Sequence, residues 1–249
     1  MGISFARQSF GGSFPEIWRG ECKMLPGGFK LTSTISAGTV IRRGTLVEVD
    51  FSNLTAKVAK RAVVLAGGTA TKPRIGKGHL FAVGDVVTKE GSGSASPTIS
   101  AIDTSNASYD TLTLSAEYSG LTTDDILVES TAQGYYDAES TDEGALKVVA
   151  NNATPDTGEV KLSVANANYH GTKNLAANDY VILKDAEELC TPNMVVGEEL
   201  KYSDKGIPTL DVAYQALVIR PNLLYVVPDK WLDGGCCLKN NHEIKFIKQ

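Results

Sequence analysis

Apolar residues in this chain come in short runs cut by Gly, Asp, Asn and Ser, and hardly anywhere at helical spacing. Leu112 and Leu114 alternate with Thr111, Thr113 and Ser115, and Val160, Leu162 and Val164 alternate with Glu159, Lys161 and Ser163. Successive side chains on a strand point to opposite faces, so each pattern specifies a half-buried strand. Further runs fall at residues 62–66, 80–88, 99–102, 126–128, 146–150, 180–183, 210–220, 223–227 and 243–247. Gly44 parts two more, at 39–41 and 46–49, and Gly84-Asp85 reads as a turn within 80–88. Helix is confined to a turn or two near 185–188, while 53–60 reads as a short helix or a strand. The predicted class is all-β, made of small barrels or sandwiches rather than a parallel sheet.

A length of 249 residues sets one or two domains, and 42% hydrophobic content excludes a disordered chain. Four Cys without CxxC spacing, two of them the adjacent Cys236 and Cys237, suggest reduced thiols rather than a disulfide framework. No stretch has the length of a membrane span, and residues 1–20 lack the apolar core of a signal peptide, so synthesis in the cytoplasm is expected.

The net charge of -5 hides a reversal along the chain: +8 over residues 1–78, -11 over 79–185 and -2 over 186–249. It begins just after the Gly- and Pro-containing segment 66–78, which marks a boundary between units. The expected organisation is an N-terminal arm at 1–30, a β-rich base domain from 31–78 and 186–249, and an inserted acidic β-barrel or sandwich at 79–185. Two consecutive domains, with the tail belonging to the second, are the alternative. A strand, turn and strand order shared by 98–129 and 146–184 fits a duplicated barrel half or the ordinary rhythm of β proteins.

Catalytic constellations are missing. His79, His170 and His242 sit in separate segments, and no GxSxG elbow, HExxH helix, Walker loop or dinucleotide fingerprint occurs. Asp103, Ser105, Asn106 and Asp110, with Asp124-Asp125 beyond, offer oxygens of the kind Ca²⁺ takes, but the same residues make turns on their own backbone. Cys190, Cys236, Cys237 and His242 could surround Zn²⁺, except that neighbours on a strand face opposite sides. An enzyme site assembled from Asp103, Asp110 and His170 would be invisible to sequence. The expectation is a non-enzymatic protein with no metal and no cofactor.

Binding is read more readily. Arg42, Arg43, Lys57, Lys60 and Arg61, with Lys72, Arg74 and Lys77, form a basic segment suited to an acidic protein surface. Nucleic acid is not expected, because only Phe51 is aromatic between 32 and 78 and the acidic unit would repel a polyanion. Phe5, Phe10, Phe14 and Trp18 lie in a Gly- and Ser-rich arm that cannot bury them on itself, so the arm packs on the base or crosses a neighbouring subunit. A carbohydrate- or cell-surface-binding module is the alternative function, with Tyr135 and Tyr136 in a loop as its platform. Tyr109, Tyr118, Tyr169 and Tyr180 are further candidates, and at least four of these six tyrosines are more readily core residues.

Residues 35–50 (ISAGTVIRRGTLVEVD), followed by a strand through Lys57 to 65, resemble the opening of tailed-phage head decoration or head fibre proteins. Residues 213–238 (AYQALVIRPNLLYVVPDKWLDGGCCL) and the final NHEIKFI are similar to the C-termini of such proteins from phages and prophages of gut bacteria. The resemblance covers roughly 30–80 and 207–249. It implies a β-tulip-like base, often trimeric, that sits on the outer lattice of the major capsid protein and reinforces it without catalysis. On that reading the chain is a virion structural protein made without a signal peptide in a bacterial cytoplasm. The basic base and aromatic arm would dock on the shell, and the acidic insert would face solvent, with weak cell-surface contact at most. Neither a membrane nor nucleic acid is an expected partner.

Overall fold

The patterned segments form strands wherever both faces find a neighbour. The computed structural model describes residues 15–248, except 94, 133, 136–146, 150–153, 155–158, 164–179, 185, 204, 225 and 226. Its first strands are β1 (Lys23–Leu31), β2 (Val40–Ile41), β3 (Leu46–Asp50), β4 (Thr55–Val58) and β5 (Arg61–Leu65). Next come β6 (Arg74–Gly76), β7 (Val87–Lys89), β8 (Ile99–Asp103), β9 (Tyr109–Leu114) and β10 (Ile126–Glu129). β11 (Gly134–Tyr135), β12 (Lys147–Val149), β13 (Glu159–Ser163) and β14 (Tyr180–Lys184) follow. The last are β15 (Met194–Val196), β16 (Leu200–Lys201), β17 (Thr209–Ile219), β18 (Leu232–Asp233), β19 (Cys237–Leu238) and β20 (Asn241–Ile247). The chain is all-β, as its alternation predicts.

β1, β4, β3, β15 and β17 close into a five-stranded barrel, since β17 pairs back with β1. β17 spans 11 residues, long enough to pair with β1 and β15 and also to carry β20 in parallel, which in turn holds β19 and β18. Ile41, Val47, Val58, Val195, Val212, Val218, Leu238 and Ile244 are fully buried in the core of this body. In β20, Ile244 and Phe246 face inward while Glu243 and Lys245 are exposed, as the alternation requires. The short β2 pairs with β16 beside the barrel.

The second body is a curled half-barrel of six strands in the order β7, β10, β5, β6, β9, β8. A bridge between Val86 and Thr98 brings its two ends together. β9 reads half-buried and buried by turns, with Asp110, Leu112 and Leu114 inward. A separate small sheet has β14 at its centre, with β13 on one edge and β11 and β12 consecutively on the other.

Strand pairing corrects the expected limit of the base at residue 78. β5 and β6 belong to the half-barrel, and Ala62, Val64 and Ile75 lie in its core. The Gly- and Pro-containing segment after β5 is a turn inside that sheet, closed by reciprocal backbone hydrogen bonds between Thr69 and Lys72 of 3.0 and 3.1 Å. The chain passes from one core to the other at Ala59-Lys60, and Leu80 returns to the first core while Phe81 stays in the second. Residues 53–60, read as helix or strand, contribute β4. The strand expected at 223–227 is not found over its described part, because Pro221 starts a 3-10 turn at Arg220–Asn222 that diverts the chain.

Candidate interaction surface

The doublet Lys60-Arg61 sits where the chain crosses between the two bodies. The Lys60 side chain is 0% exposed, and its Nζ lies 2.7 Å from Asp85 and 2.9 Å from Glu129. Arg61 Nη1 donates to Glu188 Oε1 at 2.6 Å. Its Nη2 lies 2.6 Å from Glu90 Oε2, an ion pair not aligned as a hydrogen bond. The Arg61 guanidinium rests 4.5 Å from the centre of the Trp231 ring, and Lys230 reaches Glu188 at 2.5 Å and Glu90 at 3.3 Å. Three cations and four carboxylates therefore interlock across the seam. Burial pushes the Glu129 carboxyl above its ordinary range, against the pull of Lys60.

This geometry removes two residues from the expected docking face. Lys60 and Arg61 are internal: a charge so deeply buried is held by partners and is not offered to another molecule. Lys57 is half-buried, with its ammonium donating to the Leu189 carbonyl at 3.2 Å. Arg42 and Arg43 remain at the surface, with side chains 40% and 50% exposed. Glu199 lies 3.6 Å from Arg42 and Glu198 lies 3.0 Å from Arg43, two carboxylates that precede β16. At the surface such pairs contribute little stability and leave the guanidinium groups open to exchange partners.

Trp18 packs half-buried on the barrel core and bridges Val218, with Arg19 donating to the Leu217 carbonyl and Ile219 to that of Ile17, each at 2.8 Å. The described end of the arm thus lies along β17. Phe5, Phe10 and Phe14 lie outside the described residues. Tyr135 belongs to β11, whose backbone pairs with β14, and Tyr136 and His170 are outside the described residues. Tyr118 is a core residue: it is 1% exposed, and its hydroxyl accepts from Lys89 N–H at 2.9 Å and lies 3.1 Å from the Ser92 carbonyl.

A cleft of about 450 Å³ lies between the two bodies, walled by Ser36, Thr39 and Arg42 on one side and by His79, Val83 and Ile102 on the other. His79 Nδ1 accepts the Phe81 N–H at 3.2 Å, and Nε2 faces Asp110 at 3.2 Å. Asp110 also takes Lys77 at 2.5 Å. Burial holds His79 below its usual value, against the nearby Asp110 carboxylate. Both ring nitrogens face partners, so the imidazole links the segment before Phe81 to β9.

The loop weighed for Ca²⁺ makes turns instead. Asp103 accepts the Ser105 N–H and Asn106 that of Ser108, both at 2.9 Å, while Asp110 points to Lys77 and His79. Cys190 is buried in the barrel core near the Lys57 carbonyl. Among the described residues no cluster of His, Cys, Asp or Glu is arranged to hold a metal. The expectation that Cys236 and Cys237 face opposite ways is corrected: their sulfurs lie 3.6 Å apart, because Cys236 closes the turn before β19 rather than lying in the strand.

Sequence reasoning missed the ion-pair seam, whose signal was the charge reversal itself. The basic doublet at 60–61 and the carboxylates at 85, 90, 129 and 188 are complementary halves of one arrangement. Compared with known proteins, the chain matches no family model, and no curated protein or solved structure shows significant similarity to it.

Proposed function

We infer that this protein is a non-enzymatic structural component of a tailed-phage or prophage particle, a head decoration or head fibre protein. One observation carries the reading. Segments 35–50 and 213–238, which resemble the two ends of such proteins, lie far apart in sequence yet supply β2, β3 and β17 to β19 of one body around one core. The acidic strands between them fold elsewhere, as an elaboration of that body would.

In this reading the barrel is the base that docks on the major capsid protein lattice, with three copies forming the docked unit. Arg42 and Arg43 present two exposed guanidinium groups to an acidic shell, exchanging Glu198 and Glu199 for lattice carboxylates. Phe5, Phe10 and Phe14 add apolar contact of the kind that dominates binding once desolvated. Repetition over the shell multiplies weak individual contacts into stable attachment.

The test is co-sedimentation of the purified chain with particles lacking it. Wild-type protein is expected in the particle fraction, and R42E/R43E in the supernatant with an unchanged circular dichroism spectrum. Undiminished sedimentation of R42E/R43E would remove the basic pair from the interface.

A further inference from the structure

Cys236 closes the turn between β18 and β19, and Cys237 is the first residue of β19. Gly234 and Gly235 precede them, both at positive φ of 56° and 71°, which lets the chain reverse within four residues. The Cys236 N–H returns to the Asp233 carbonyl at 3.2 Å, and the Cys236 carbonyl accepts the Phe246 N–H at 2.7 Å. With both backbone groups of Cys236 held in this way, the two sulfurs lie 3.6 Å apart, with Cys236 exposed and Cys237 half-buried. Of the other two cysteines, Cys190 is buried and Cys22 is half-buried.

We propose that Cys236 and Cys237 form a reversible redox site, a vicinal dithiol that a small-molecule disulfide such as oxidised glutathione converts to a vicinal disulfide. Cys236, the exposed thiol, gives its proton to solvent and attacks one sulfur of the oxidant. A disulfide between Cys236 and one glutathione forms as the oxidant's own S–S bond breaks, and the other glutathione leaves as thiolate and takes up a proton. Cys237 then loses its proton, attacks the Cys236 sulfur and expels the second glutathione. The protein dithiol is oxidised by two electrons, and one glutathione disulfide is reduced to two thiols.

Two physical features make the site reversible. Adjacent Cα atoms across a trans peptide are about 3.8 Å apart, shorter than the span an unstrained disulfide adopts. The Asp233 and Phe246 hydrogen bonds also fix both backbone groups of Cys236, so the ring closes against a restrained turn. Strained, exposed disulfides are the readily reduced ones. Cys236 is the more exposed of the two thiols and meets the oxidant first, while Cys237 is held above its ordinary value chiefly by its hydrogen bond with Cys236, so Cys237 acts second, as the resolving thiol.

The experiment equilibrates the full chain in mixed reduced and oxidised glutathione, quenches with an alkylating reagent under denaturing conditions, and reads each cysteine by peptide mass spectrometry. The peptide bearing Cys236 and Cys237 is expected to lose both alkyl groups together and appear two hydrogens lighter. Excess reduced glutathione should restore both, while Cys22 and Cys190 stay alkylated throughout. In C237S, glutathione should accumulate on Cys236, because nothing resolves it. Glutathione persisting on Cys236 of the wild type, disulfide-linked dimers, or a bridge that reduced glutathione does not reopen would each overturn the proposal.

Discussion

Lys60 and Asp85 meet at 2.7 Å with side chains 0% and 4% exposed, and this pair ties the crossing point of the chain to the loop that opens the half-barrel. Asp85 uses a second contact to receive the Ala82 N–H at 2.7 Å, which fixes the turn at Gly84. The pair is therefore a joint as well as a neutralised charge.

K60M is expected to destabilise the protein by about 3–5 kcal/mol, because Asp85 and Glu129 would be left buried without their cation. R43A, which removes an exposed pair, is expected to cost less than about 1 kcal/mol. Urea unfolding of the two variants checks the contrast, and equal costs would show that the seam is not buried as described.

Tyr118 anchors the half-barrel through its hydroxyl, which satisfies Lys89 N–H. Y118F keeps the ring and removes that acceptor, so a loss of about 1–3 kcal/mol is expected from the orphaned donor. Faster hydrogen exchange at the Lys89 amide would identify the cause.

His79 is held below its ordinary value chiefly by burial, with Lys77 adding to that and Asp110 and Asp85 opposing it. The unfolded chain then binds the proton more readily than the native one. Stability is complete above the unfolded value of about 6.5 and falls as pH drops below it, until the native imidazole also protonates. H79Q is expected to be less stable at neutral pH but to lose less between pH 7 and 5. Parallel melting curves for the two proteins across that range would contradict the assignment.

The turn between β5 and β6 leaves no room at Gly68, where a Cβ would come within 2.6 Å of the Arg74 backbone nitrogen and 2.9 Å of the Lys72 carbonyl oxygen. G68A is expected to cost about 1–3 kcal/mol through backbone displacement. Gly20, at φ 84° with nothing near its missing Cβ, should lose only about 1 kcal/mol on change to Ala. Denaturation midpoints rank the two.

Local patterning made the strands legible, and long-range pairing decided what they built. β9 and β20 follow from alternation alone, since Leu112, Leu114, Ile244 and Phe246 leave no other face to bury. The membership of β5 and β6 does not, because Ala62, Val64 and Ile75 would suit either core, and only their partners β10 and β9 place them. Lys60 and Arg61 look like surface charges in sequence, since the carboxylates that accept them lie between 25 and 127 positions away. Trp231, which carries Arg61 on its ring, gave no local sign of that role. Arg42 and Arg43 are where a charged pair beside a turn belongs, at the surface.

The proposed place of this chain in a virion is checked by quantitative mass spectrometry of purified particles. Particles would be collected after prophage induction from a bacterium encoding the chain, and its copy number compared with that of the major capsid protein. The account predicts that the chain copurifies with intact heads in a fixed ratio to the shell protein. Its complete absence from particles, while abundant in the cells that made them, would contradict the account.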